Sequence, residues 1–286
     1  MKSTKDEIAF KMINALILIA VSLCTLLPFL HVVALSFSSD QYVISGRVGL
    51  MPRGFQVNAY LFAWKNTPIL TAFRNTISVT AIGTLLAIVI SSAVAYPLSL
   101  PSLWGRKPLL YFFVITMIFS GGLIPAFLLM MSLGLINNLW SLILPHLLNV
   151  FNMILIKNYF EGLPESVRES ALIDGANNIN ILQKIILPMS KPILATIALF
   201  TAVEFWNSYF NAMLYLSDPK KVTLQLFLVN IVRQANLTDN ITSEIIVPPD
   251  TVRAAAVVFG TAPILFFYPF LQKYFVKGIT LGSVKG

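Results

Sequence analysis

The sequence predicts an all-α integral membrane protein with six transmembrane helices. Three observations carry that prediction. The chain has 286 residues, of which 57% are hydrophobic and 11% charged, where soluble domains carry roughly 25% charged residues. Its mean hydropathy is +0.79. Its uncharged runs match or exceed the roughly 20 apolar residues that a helix needs to cross a bilayer core of about 30 Å.

The elements follow in order. No Asp, Glu, Lys or Arg occurs from Met12 to Phe37, which predicts a first span over 12–37. Ala34-Leu35-Ser36 faintly resembles a cleavage site, but a signal peptide has an apolar core of about 7–15 residues, so the reading is a retained anchor. The uncharged run from Asn75 to Gly105 predicts a second span over 75–100. The run from Pro108 to Ile156 holds 49 residues, too many for one helix. Gly134 and Asn137-Asn138 divide it into spans over 108–133 and 137–160. Pro192 to Ser217, interrupted only by Glu204, predicts a fifth span over 192–216. Ala254 to Gln272 predicts a sixth, over 254–272. All six form one transmembrane domain covering 1–286.

The net charge is +8, but the basic residues are scattered among loops, without the clustered stripe that nucleic acid requires. They serve better as flanks of membrane spans. Lys2, Lys5, Lys11, Arg106, Lys107, Lys157, Arg168, Lys184, Lys191, Lys273, Lys277 and Lys285 fall on one side, and the other eight of the 20 on the opposite side. The richer side is the cytoplasmic one, which places both termini there. Residues 38–69 and 217–252 then form outward loops. Cys24 is the only cysteine; it excludes an intrachain disulfide and reads as a packed core thiol.

The longest cytoplasmic loop, 161–191, contains "ESALIDGANNINILQKIILP" (169–188), a polar passage in an apolar chain. Pro164 suits the first turn of a short helix. Val167, Ala171 and Leu172 share a face, while Arg168 and Glu169 point elsewhere. Gly175 sits where a left-handed cap would close that helix. Asn177 or Asn178 then caps the next one, which runs to Pro188. On physical grounds this is either a solvated connector or a helix on the membrane surface shaped for close approach by another protein.

The spacing Glu169, Ser170, Ala171, Gly175, Ile185, Leu187, Pro188 resembles the signature loop of ABC importer permeases, with Ser170 in place of the usual alanine. Further stretches, "FSGGLIP" (119–125), "FWNSYFNAMLYLSD" (205–218) and "YPFLQKYFVKGITLGSVKG" (268–286), are similar to the carbohydrate-uptake group that includes the maltose-transporter membrane subunits. Within that group the likeness is to permeases for oligosaccharides and polysaccharide fragments.

The resemblance implies a type I importer permease fold with a cytoplasmic coupling helix between the fourth and fifth spans. Glu169, Ser170, Ala171, Asp174 and Gly175 would couple it to an ATPase, Glu169 through a polar contact, Ala171 through close packing and Gly175 through its turn. The implied setting is a prokaryotic plasma (inner) membrane. The implied partners are a second, different permease, a cytoplasmic ABC ATPase dimer, a solute-binding protein outside the membrane and an oligosaccharide. ATP and Mg would be bound by the ATPase and no cofactor by this chain, which lacks the G-x-x-x-x-G-K-[ST] phosphate loop. The expectation is a transport subunit rather than an enzyme.

Glu204 is the only acidic residue inside an expected span, and such residues usually face a protein interior or cavity. Trp206, Asn207, Tyr209 and Asn211 lie close to it in sequence. Aromatic faces and side chains that both donate and accept hydrogen bonds suit sugars, so these five are candidates for the substrate pathway. The alternative is polar glue between helices. Arg47, Arg53, Lys65, Arg74, Arg233 and Arg253, on or near the outer side, could steer an acidic sugar, or simply anchor helix ends and contact a binding protein. His31 and His146 sit in separate apolar spans without metalloenzyme spacing and read as packing or hydrogen-bonding residues. The remaining alternatives are an ABC permease for a non-sugar solute, a channel and a secondary transporter.

Overall fold

Among the described residues, two helices are each long and apolar enough to cross a membrane, Phe10–Ser36 and Ile69–Ser99. At 1.5 Å per residue they extend for about 40 and 46 Å. The computed structural model describes residues 5–66, 68–237, 250–263 and 265–266. Every regular element among the described residues is a helix. Two compact units emerge, one from residues 1–69 with 228–263, the other from residues 70–227 with the segment after 263.

The first unit begins with α1 (Lys5–Ser36). No residue from Phe10 to Leu27 is buried. Cys24 is exposed on this helix, so the expected packed thiol is corrected: an apolar run whose side chains stay exposed carries the same sequence signal as a core. The chain then turns through α2 (Asp40–Ile44) and α3 (Asn58–Asn66). This loop is tied together by hydrogen bonds. Ser39 N donates to Arg53 O at 2.9 Å, Gln56 N to Phe37 O at 2.9 Å, and Gln56 Nε2 to Asp40 Oδ1 at 2.7 Å. The Phe37 ring is stacked between Phe55 and Tyr60, at centroid distances of 5.5 and 4.9 Å. A further helical stretch occupies 250–263.

The second unit is built on α4 (Ile69–Ser99) from Leu70 onward. The span expected over 108–133 consists of two helices, α5 (Arg106–Ile118) and α6 (Leu123–Ser132), bent by 107°. The break falls at Ser120-Gly121-Gly122, where Gly122 adopts φ +85°, a conformation that carries no Cβ penalty in glycine. The next expected span is also bent. A short α7 (Trp140–Ile143) and a tight turn to His146 meet α8 (Val150–Glu161) at 48°. Pro145 and the Asn149 cap account for that break, since proline cannot donate to the preceding turn and Asn149 accepts from Asn152 N.

After α8 comes α9 (Glu165–Ile173), then α10 (Asn178–Ile181), a π-helical turn over Leu182–Ile186 and α11 (Leu187–Met189). The π turn sits immediately before Pro188, whose missing N–H and bulky ring disfavour an ordinary α turn. From there α12 (Lys191–Trp206) leaves at 83° to the preceding helix. The fifth expected span, 192–216, is interrupted at Asn207, and α13 (Phe210–Tyr215) follows. The unit closes with the start of α14 (Leu224–Leu237). The sixth expected span, 254–272, continues beyond the described residues, as do the stretch 238–249 and the C-terminal motif at 268–286.

Two apolar clusters hold this unit. Tyr96, Met153, Ile156, Phe160, Ile181 and Ile197 belong to one, which joins α4, α8, α10 and α12. Val79, Met130, Leu142, Phe205 and Tyr215 belong to the other. Asn137, the expected break, is the hub of the turn. Its φ is +59°, tolerated by asparagine, and its Oδ1 accepts from Ser217 N at 2.6 Å and Asp218 N at 3.1 Å.

Candidate functional site

The polar passage folds as its residues dictate. Gly175 adopts φ +79°; its N–H donates to Leu172 O at 3.0 Å and that of Ala176 to Ala171 O at 2.9 Å. This pair of bonds is a Schellman cap, which requires a left-handed residue at the glycine position. Asn177 then caps α10, its side chain accepting from Asn180 N at 2.8 Å. Four residues, 174–177, separate α9 from α10.

The cap fixes which side chains face outward. Glu169, Ser170, Asp174 and Gly175 are exposed, and the Ser170 hydroxyl donates back to Ser166 O at 2.8 Å. Ala171 is buried in the cluster around Ile181 and Ile186. Its small side chain lets α9 lie close on this chain's own core. Leu172, expected on the same face, is turned outward. Leu172, Ile173 and Ile179 are 43%, 86% and 65% exposed. They make an apolar ledge beside Glu169 and Asp174 that the sequence reading missed. Its signal was present in "ALID", where helical spacing cannot put four consecutive residues on one face.

Behind α9 lies a charged anchor. Glu161, the last residue of α8, pairs with Arg106 and, at 2.7 Å, with Lys157. Arg106 Nε donates to Leu98 O at 2.8 Å. One carboxylate thus fastens the end of α4, the start of α5 and the end of α8 where the 161–191 segment begins.

The second group of candidates separates. Glu204 and Asn211 converge on one imidazole: His146 Nδ1 lies 3.8 Å from Glu204 Oε1, and His146 Nε2 lies 2.8 Å from Asn211 Nδ2. His146 and Glu204 line a cavity of about 330 Å³, with Thr116, Pro145, Asn149 and Phe151 also on its wall. Glu204 keeps nearly half of its side chain exposed there, 46%. Trp206 is instead buried and meets Phe73 edge-on at 5.9 Å. Asn207 caps α12 and accepts from Gln225 Nε2 at 3.5 Å. Tyr209 lies edge-on to Phe210 at 6.5 Å. His146, read from sequence as a packing or hydrogen-bonding residue, is hydrogen-bonded to Asn211; its partners, about 60 positions away, could not be named from the sequence.

A chain of bent apolar helices with a capped polar segment between them has counterparts among known proteins. The family model described as "Binding-protein-dependent transport system inner membrane component" matches residues 76–281. The "Polygalacturonan/rhamnogalacturonan transport system permease protein YtcP" of Bacillus subtilis (strain 168) is 44% identical over 273 residues, covering 94% of this chain and 96% of its own. "Protein LplC" of the same organism is 41% identical over 289 residues, covering 100% and 98%. A solved bacterial ABC transporter involved in the import of the acidic polysaccharide alginate contains a chain that superposes with a TM-score of 0.88 at 34% identity, over 96% of this chain and 99% of that one. The chain belongs to the family of binding-protein-dependent transport system inner membrane components, the membrane-embedded permeases of ABC importers.

Proposed function

We propose that this chain is one of two permease subunits in an ATP-driven importer for an acidic oligosaccharide released from a plant or microbial polysaccharide. The observation that carries this reading is similarity over nearly the full length both to a polygalacturonan/rhamnogalacturonan permease and to a permease chain of an alginate importer. The alginate carried by the second is described as an acidic polysaccharide. A soluble binding protein delivers the oligosaccharide from outside, and the outward loop carrying Arg47 and Arg53 supports an anionic cargo.

The chain crosses the membrane six times with both termini in the cytoplasm, each bent helix pair and the 250–263 segment contributing to a span. ATP and Mg act on a separate ATPase dimer. Helix α9 docks on that ATPase through Glu169, Asp174 and the apolar ledge of Leu172 and Ile173. Ser170 permits close approach, and Gly175 fixes the angle at which the helix presents itself. Nucleotide-driven closure of the ATPase pulls α9, and the Glu161 anchor passes the displacement to α4, α5 and α8. The cavity at Glu204, His146 and Asn211 lies on the sugar's route.

Uptake by the importer reconstituted from both permeases, the ATPase and the binding protein tests this reading. ATP-dependent accumulation of uronate oligomers in preference to neutral oligomers of equal length is the expected result. Equal rates for both would remove the acidic assignment, and uptake of a non-sugar solute would replace it.

A further inference from the structure

We propose that His146 and Glu204 form a hydroxyl-binding subsite in the wall of the cavity, with Asn211 as the residue that positions the imidazole. The inference rests on the sugar-path reading above and adds the group that is recognised there. The distance of 3.8 Å between His146 Nδ1 and Glu204 Oε1 is too long for the two to be hydrogen-bonded to each other. Asn211 Nδ2 is a donor only, so at 2.8 Å His146 Nε2 must accept from it. The proton of the neutral ring then sits on Nδ1, on the side of Glu204.

A donor and an acceptor held at this separation are the complement of one hydroxyl. An oxygen about 2.8 Å from both accepts from Nδ1–H and donates to the carboxylate. The other polar residues of the wall already have partners: Thr116 Oγ1 donates to Phe113 O at 2.7 Å, and Asn149 Oδ1 accepts from Asn152 N at 3.2 Å. Phe151, 51% exposed, adds an apolar face beside them, the kind of surface on which a sugar ring rests. The negative charge of Glu204 opposes close approach of a carboxylate, so the subsite reads a hydroxyl of the sugar and leaves its acid group elsewhere.

Asn211→Asp tests this in the complete reconstituted importer. The substitution preserves size and the bond to the imidazole but reverses its polarity. The ring then either carries its proton on Nε2 or becomes an imidazolium that closes on Glu204, and the gap for a hydroxyl is lost in both cases. We expect uptake to fall at least tenfold for neutral and acidic oligosaccharides alike, while ATP hydrolysis stimulated by the loaded binding protein stays within twofold. A purely structural bond between α13 and His146 predicts retained uptake, and uptake within twofold of the unsubstituted importer overturns the subsite. Should Asn211→Asp fail to assemble, Glu204→Leu carries the same expectation and the same contrary result, because its side chain has no oxygen to accept the hydroxyl's proton. If the unsubstituted importer moves no oligosaccharide at all, the sugar-path reading and the subsite fall together; if it moves sugar and both variants do too, only the subsite falls.

Discussion

Gly83 of α4 lies against the ring of Phe205 on α12, so closely that a Cβ at position 83 would stand 2.6 Å from Phe205 Cε2. Phe205 is buried and meets His146 edge-on at a centroid distance of 6.4 Å, so the ring cannot swing away without disturbing the cavity wall. Gly83→Ala is therefore expected to lower stability by about 1–3 kcal/mol, the usual cost of overpacking. Thermal unfolding of the detergent-solubilised protein checks this, and an unchanged midpoint would show that α4 and α12 have room to part.

The cap at Gly175 makes a separate prediction. Its φ of +79° costs an L-residue about 1–2 kcal/mol, and proline can neither reach it nor donate to Leu172 O. Gly175→Pro should abolish ATP-driven uptake, whereas Gly175→Asn, which tolerates a left-handed backbone, should retain most of it. The ratio of sugar moved to ATP hydrolysed is the quantity to compare. Equal ratios for the two variants would mean that the turn geometry does not matter for coupling.

Ala171 and Ile173, two residues apart on α9, should respond in opposite ways. Ala171→Leu adds bulk inside the core cluster and is expected to destabilise the chain itself, by about 1–3 kcal/mol. Ile173, 86% exposed, can become Glu without harm to the fold. If it is buried against the ATPase, burial of such a side chain contributes about 1.5–3 kcal/mol, and Ile173→Glu should weaken the association by tenfold or more. Co-purification with the ATPase and thermal unfolding, measured on both variants, separate the two effects. Loss of the ATPase with neither variant would remove the docking role of the ledge.

Glu161 holds two cations, and Lys157 retains only 11% side-chain exposure. Glu161→Ala leaves that amine without its carboxylate, which in a largely buried setting costs about 3 kcal/mol. The exposed Arg168–Glu165 pair, separated by three residues within α9, is worth less than about 1 kcal/mol. Unfolding midpoints of Glu161→Ala and Glu165→Ala should differ in that order, and reversal would mean that the anchor is not structural.

Much of this architecture could be read from residue order because membranes impose simple rules. Uncharged runs located the apolar helices, Gly175 and Asn177 announced their caps, and Asn137 marked its turn. The bends were less legible. A run such as 108–133 has the composition of one straight span, and only the local backbone at Gly121-Gly122 decides that it is two helices. Long-range pairing was not legible at all. Nothing in the spacing of Glu204, Asn211 and His146 states that α8's approach turns the imidazole toward the other two. Burial was ambiguous for a related reason. Lipid and protein interiors select the same apolar side chains, so the apolar run around Cys24 read as packed although the thiol is exposed, and the neighbours of Trp206 in sequence did not announce its burial.

The most direct test of the central claim is uptake into proteoliposomes containing this chain with its partner permease and ATPase. It is measured with and without luminal-side ATP and with and without the loaded binding protein. Accumulation of an acidic oligosaccharide is expected only when both are present, with no dependence on an ion gradient. Accumulation that follows an imposed proton or sodium gradient and ignores ATP would contradict it.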